Sequence, residues 1–146
     1  MSQADIETLR AEYEAMSRQD WPAMFRSAHP DFELTTPERS AVAGTFYGRD
    51  MARRQLADFF GPFEEVLAEP EEFFERGDRI VVFFRLRSRP RGSSAAVEIR
   101  AGHLWTMRDG RAARLQIFPE REKALEAAAR QGLERDPPIG KRPTGA

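Results

Sequence analysis

The hydrophobic period of this chain changes once, near residue 62, and that change limits its fold more than any other feature. Before it, apolar residues recur at helical spacing: Ile6, Leu9, Tyr13 and Met16 fall at steps of three and four and make one stripe. Ser2 followed by Asp5 resembles a capping box with Asp in place of Glu. The helix is predicted to stop near Gln19. Asp20 then caps a second short helix, with Pro22 in its first turn and Met24, Phe25 and Ala28 on its buried side. His29-Pro30 closes it, because a residue before proline avoids helical geometry. Phe32 to Thr35 reads as a short strand and 37–43 as irregular. A third helix opens at Gly48 and Asp50 and runs to Phe60, with Met51, Leu56, Phe59 and Phe60 inward, before Gly61-Pro62 ends it.

After residue 62 the pattern alternates. Strands are predicted over 66–74, with Pro70 at a bulge or edge, and over 79–89, 96–107 and 112–118. Gly77-Asp78 and Asp109-Gly110 supply tight turns between them. Helices followed by an antiparallel meander give an α+β domain. An alanine-rich helix over 120–131, with Leu125 inward, closes it. One domain over 1–131 is expected, followed by a disordered tail over 132–146 that holds proline, glycine and charge but little to bury.

At 146 residues the chain can bury a core without staples, and it has no cysteine, so disulfides and thiolate chemistry are excluded. The start MSQADIETLR lacks the basic and apolar regions of a signal peptide, and no apolar run reaches the roughly 20 residues of a membrane helix. A cytoplasmic protein without membrane contact is expected. Charge is segregated: glutamates crowd 64–75 and arginines 76–114. An anion site is one reading. Neighbouring acidic and basic strands that offset each other are the better one. Arginines 85, 87, 89 and 91 share one strand face. With no aromatic platform beside them they suit a solvated rim or dimer edge better than a nucleic acid. Only two histidines are present, His29 and His103, far apart, so no spacing suggests a metal site. No glycine-rich phosphate loop occurs, and nothing calls for a cofactor.

The segments HPDFEL, FYGRDMARRQLADFF, ERGDRIVVFFRLRSR and VEIRAGHLWTMRDGRAARLQIFPEREKALEAA, in this order, resemble the SnoaL-like branch of the nuclear transport factor 2-like superfamily over residues 5 to 130. The resemblance implies a cone-shaped, curved antiparallel sheet (a cystatin-like fold) with the N-terminal helices packed on its concave face around a pocket. It also implies a homodimer formed through the convex face. Members include ketosteroid isomerases, epoxide hydrolases and polyketide cyclases.

Strand parity puts Val97, Ile99, Ala101, His103, Trp105 and Met107 on one face of the third long strand. His103 there is a candidate proton carrier; the bland alternative is a buried histidine satisfied by backbone or water. Tyr13, on the inner stripe of the first helix, lies within about one position of the oxyanion-stabilising tyrosine of the isomerases, and is a candidate hydrogen-bond donor; the alternative is a core aromatic. The general base of those isomerases aligns with Thr36, before Pro37, and threonine cannot take a proton from carbon at neutral pH. Glu98 and Arg100 imitate part of the epoxide-hydrolase set, but Gln116 replaces its third, acidic member. The aromatic supply is large for one core. Trp21, Phe25, Phe32, Phe59, Phe84, Trp105, Gln116 and Phe118 are therefore candidate substrate-binding residues for a small hydrophobic molecule. The leading expectation is a pocket protein with cofactor-independent acid–base chemistry of isomerase or cyclase type. The rivals are a non-catalytic ligand-binding or dimeric interaction module, and an epoxide-hydrolase-like enzyme.

Overall fold

The computed structural model describes residues 3–37 and 43–133. Ser2 of the expected capping box, and the expected tail from Glu134 on, lie outside the described residues. Helix α1 spans Gln3–Ser17 and buries Leu9, Tyr13 and Met16 of the stripe. Gln19, with φ of 55°, turns the chain out of the helix, and Asp20 Oδ1 accepts the backbone N–H of Ala23 at 3.1 Å to cap α2, Trp21–Phe25.

Four long strands follow α3 (Arg49–Phe60): β3 (Phe63–Arg76), β4 (Arg79–Pro90), β5 (Val97–Arg108) and β6 (Arg111–Phe118). They form the expected meander. The ladder between β3 and β4 slips between Pro70 and Glu72, where proline has no N–H to give. Asp109 and Gly110 both have positive φ, the geometry of a two-residue hairpin turn whose twist suits the flanking strands.

Two further strands complete the sheet. β1 covers Glu33–Thr36, and β2, Gly44–Tyr47, forms just before α3, where no strand is expected from residue pattern. The curved, unclosed sheet has the order β2-β1-β6-β5-β4-β3. It is not purely antiparallel: β1 runs parallel to β6. β2 is four residues long, Gly44-Thr45-Phe46-Tyr47, too short for its own residues to show an alternation. Pairing with β1 holds it, including a contact of 3.0 Å between the hydroxyls of Thr35 and Thr45.

The sheet carries helices on both faces. Ile80, Val82 and Phe84 of β4 and Ala101, Trp105 and Met107 of β5 face α1, α2 and α3 in the main core. The alternate residues Val81 and Leu104 face α4, Arg121–Leu133, which buries Ala124, Ala127 and Ala128 against them. Leu125 of α4 is only partly buried there. Gly102 permits this approach: a Cβ at that position would stand 3.0 Å from Ala124 Cβ and 3.3 Å from backbone of Arg121. Met51, expected inward on α3, is instead 39% exposed.

The segregated charges pair across strands. Glu69 lies opposite Arg85 and Glu65 opposite Arg89, with ion pairs at 2.5 Å in both cases, and Arg89 also meets Glu64 at 2.7 Å. Arg121 of α4 pairs with Glu71. The acidic and basic segments thus offset each other as neighbours in one sheet. Among the described residues no helix is long and apolar enough to cross a membrane.

Candidate functional site

A cavity of about 210 Å³ lies between the inner sheet face and α3. β5 supplies Ile99, Ala101 and His103; β4 supplies Phe84 and Leu86; β6 supplies Leu115 and Ile117. Leu56, Phe59 and Phe60 of α3 roof it, with Met16 from α1. Its polar edge among the described residues comes from His103, Thr36 and Gln55. Phe59 and Ile99 line it and are also half exposed, so they flank its opening.

His103 is held from behind by a chain of buried groups. Trp105 Nε1–H donates to Tyr13 Oη at 3.0 Å, and Tyr13 Oη lies 2.7 Å from His103 Nδ1. An indole N–H can only donate, so the tyrosine oxygen accepts there. Its own hydrogen then needs an acceptor in a dry core, and Nδ1 is that acceptor. The ring proton accordingly sits on Nε2, and Nε2–H is the edge left to face the cavity. Packing fixes the ring as well: Phe84 stacks on His103 with centroids 3.9 Å apart. Burial lowers the His103 pKa from 6.5 to about 3, so the imidazole is neutral at physiological pH. Burial raises the Tyr13 phenol well above its ordinary value; the Trp105 hydrogen bond opposes this and the neighbouring Glu12 adds to it.

The structure brings together His103, Phe84 and Phe59 of the expected site residues at the cavity. Tyr13 and Trp105 stand one layer behind, fully buried. Gln116, expected at the site, lies instead on the outer face, where its Oε1 accepts from Gln131 Nε2 of α4 at 3.0 Å. Phe118 shares that side and packs in the outer cluster with Val81 and Leu104. Leu115 and Ile117 point inward, so period-two alternation sends Gln116 and Phe118 outward. Trp21 stacks on Phe60 at 5.4 Å, and Phe25 meets Phe32 edge-on at 5.3 Å. Trp21, Phe25 and Phe32 are therefore core residues outside the cavity lining. Glu98 and Arg100 are exposed on the outer face, and Glu98 lies 3.9 Å from Arg85, so they build no water-holding set at the cavity.

Thr36 and Pro37 do line the cavity, where Thr36 brings a hydroxyl and no carboxylate. Sequence reasoning missed Gln55 and Leu56 as lining residues, though Leu56 was placed on the inward side of α3. It also missed Glu12, whose carboxyl is buried with Oε1 unpartnered and whose pKa burial raises from 4.5 to about 8. Among the described residues no three His, Asp or Glu side chains gather closely enough to share a metal ion.

Known proteins resemble the chain as follows. No curated protein matches it. Among solved structures, TerC co-crystallised with polyporic acid has a TM-score of 0.71 at 28% identity, over 87% of this chain and 99% of TerC. A protein of unknown function from Burkholderia pseudomallei, described as nuclear transport factor 2-like, also scores 0.71, at 26% identity, over 86% and 97% of the two chains. A protein with a ketosteroid isomerase-like fold from Catenulispora acidiphila, in complex with trimethylamine, scores 0.69 at 15% identity over 84% and 92%, a likeness of fold alone. The model of the SnoaL-like domain matches residues 9–115, which take in the larger part of α1, the Trp105–Tyr13–His103 chain and the cavity lining as far as Leu115, with Ile117 and Pro119 beyond it. With that match and the curved six-stranded sheet in hand, the chain belongs to the SnoaL-like domain family, on a nuclear transport factor 2-like fold.

Proposed function

We propose that this protein binds a small hydrophobic molecule in the cavity, with an oxygen of the ligand accepting a hydrogen bond from His103 Nε2–H. The observation that carries this reading is the Trp105–Tyr13–His103 chain, which orients one donor at an apolar wall. A fixed donor in a dry, concave site is how small-molecule pockets set orientation. The likeness to TerC, which was co-crystallised with polyporic acid, supports small-molecule binding on this fold.

The same chain argues for holding and polarising a ligand rather than for moving its protons. As a general acid His103 would have to be an imidazolium, and its pKa of about 3 leaves it neutral. As a base it offers Nε2, which already carries the proton, or Nδ1, which Tyr13 occupies. A neutral donor aimed at a carbonyl can still stabilise charge that develops on its oxygen. Any reaction at this site would therefore draw on electrostatic stabilisation by His103.

The test is binding of a panel of neutral one- and two-ring ketones, followed by quenching of tryptophan fluorescence, to the wild type and to His103→Phe. Wild-type binding that weakens about 3- to 10-fold in the variant is expected, the value of one neutral hydrogen bond. Equal affinity in both proteins would remove His103 from the site, and no binding across the panel would end the pocket reading.

A further inference from the structure

We propose that the cavity selects its ligand by charge: it takes the neutral, protonated form of a one- or two-ring molecule and refuses the conjugate base. This rests on the ligand-binding reading above and narrows it to a substrate class.

Size comes first. A cavity of roughly 150 Å³ admits a single benzene ring. The 210 Å³ here therefore suits one ring with substituents or two fused rings. A flat ligand fits between the Phe84–His103 stack and the Phe59 and Phe60 side chains of α3.

Charge follows from the hydrogen-bond chain. An anion buried against apolar walls needs a compensating cation or several donors. Among the described lining residues the titratable group is His103; of the other polar ones, Thr36 Oγ1 donates to the Gly44 carbonyl at 3.3 Å and Gln55 offers a neutral amide, so neither brings positive charge. Becoming a cation would require a proton on Nδ1. That nitrogen accepts the Tyr13 O–H, and Tyr13 Oη already receives Trp105 N–H. Protonating Nδ1 would turn the tyrosine hydrogen into a buried donor without an acceptor. The groups packed behind the imidazole make the cost larger. α1 brings Tyr13 with Glu12 beside it, β4 brings Val82 and Phe84, and β6 brings Ile117 opposite His103. None of these is a cation, and ionised Glu12 would oppose an anion further.

The experiment uses two probes with the full chain. α-Tetralone is neutral at every pH. 4-Nitrophenol is a single-ring acid that ionises near neutrality, colourless as the phenol and yellow as the phenolate. Affinities and absorbance spectra are measured from about pH 6 to pH 9, with circular dichroism to follow the fold. Above its own pKa, 4-nitrophenol should lose about tenfold in affinity per pH unit while α-tetralone stays level over the same range. Excess protein should bleach the yellow band near neutrality, because the bound species is the phenol. A bound species that is yellow, or an affinity that rises with pH, overturns charge selection while α-tetralone binding keeps the pocket reading intact. If neither probe binds, both the pocket reading and this inference fail.

Discussion

Replacing Tyr13 by phenylalanine removes one oxygen and strands two neighbours. Trp105 N–H loses its acceptor and His103 Nδ1 its donor, both in a core where Trp105 and Tyr13 are essentially unexposed. Each unsatisfied buried group costs about 1–3 kcal/mol, so Tyr13→Phe should lower stability by roughly 2–6 kcal/mol in urea titration, although ring packing is kept. A loss below about 0.5 kcal/mol would show that the chain of hydrogen bonds is not formed. Two buried ionisable groups shape the pH dependence in opposite senses. The His103 pKa falls from 6.5 to about 3 on folding, so its contribution is complete above 6.5 and is lost as pH falls toward 3. The Glu12 pKa rises from 4.5 to about 8, so its contribution is complete below 4.5 and is lost as pH rises toward 8. Between 4.5 and 6.5 the two slopes cancel, so on these groups stability peaks there. Glu12→Gln should remove the alkaline decline, gaining about 1.4 kcal/mol per pH unit between 6.5 and 8 relative to wild type. Parallel stability curves for the two proteins would show that Glu12 is solvated. Of these residues, strand parity and the α1 stripe placed His103, Trp105 and Tyr13 correctly, since each side chain's direction follows from local period. Their mutual hydrogen bonds join residues 90 or more positions apart, which no local pattern encodes. Glu12 was hidden because a glutamate beside an apolar stripe reads as solvent-facing until a neighbouring element covers it.

At the level of elements, period and turn chemistry read well wherever an element is long. The helices α1 and α3 and all four long strands follow from spacing and punctuation, down to the slip at Pro70. Failure came at β2, which is defined by its partner β1 and not by its own residues. The face taken by α4 was likewise not legible, because an alanine-rich helix has little apolar contrast to show where it docks. Gly102 is the mark of that docking. Its added Cβ would press on Ala124 and on the backbone of Arg121, which cannot rotate away. Gly102→Val should therefore cost about 1–3 kcal/mol in thermal or urea unfolding, as overpacking does. It faces away from the cavity, so ligand affinity measured below the melting transition should change less than twofold. A variant as stable as wild type would mean that α4 does not sit on β5.

Across the whole molecule the sheet divides two kinds of packing. On the outer face α4 packs on Val81 and Leu104, and the charges of β3 and β4 pair across their ladder. On the inner face α1 and α2 pack into the main core, and the cavity opens where α3 bridges toward β5 and β6. Close packing is the rule in protein interiors, so a hollow of 210 Å³ gives up contact energy unless a ligand fills it. Ala101 tests this. It is buried, lines the cavity and sits opposite Phe84 in the β4–β5 ladder. Ala101→Leu adds three carbons into the hollow, and at about 0.8 kcal/mol per buried carbon it should hold or raise stability by up to roughly 2 kcal/mol. The same carbons occupy the ligand's place, so affinity for α-tetralone should fall at least tenfold. A gain in stability with unchanged affinity would put the ligand elsewhere on the molecule. A loss of stability would mean that the interior beneath α3 is already full, leaving no room for the donor edge of His103 to meet anything but its own protein.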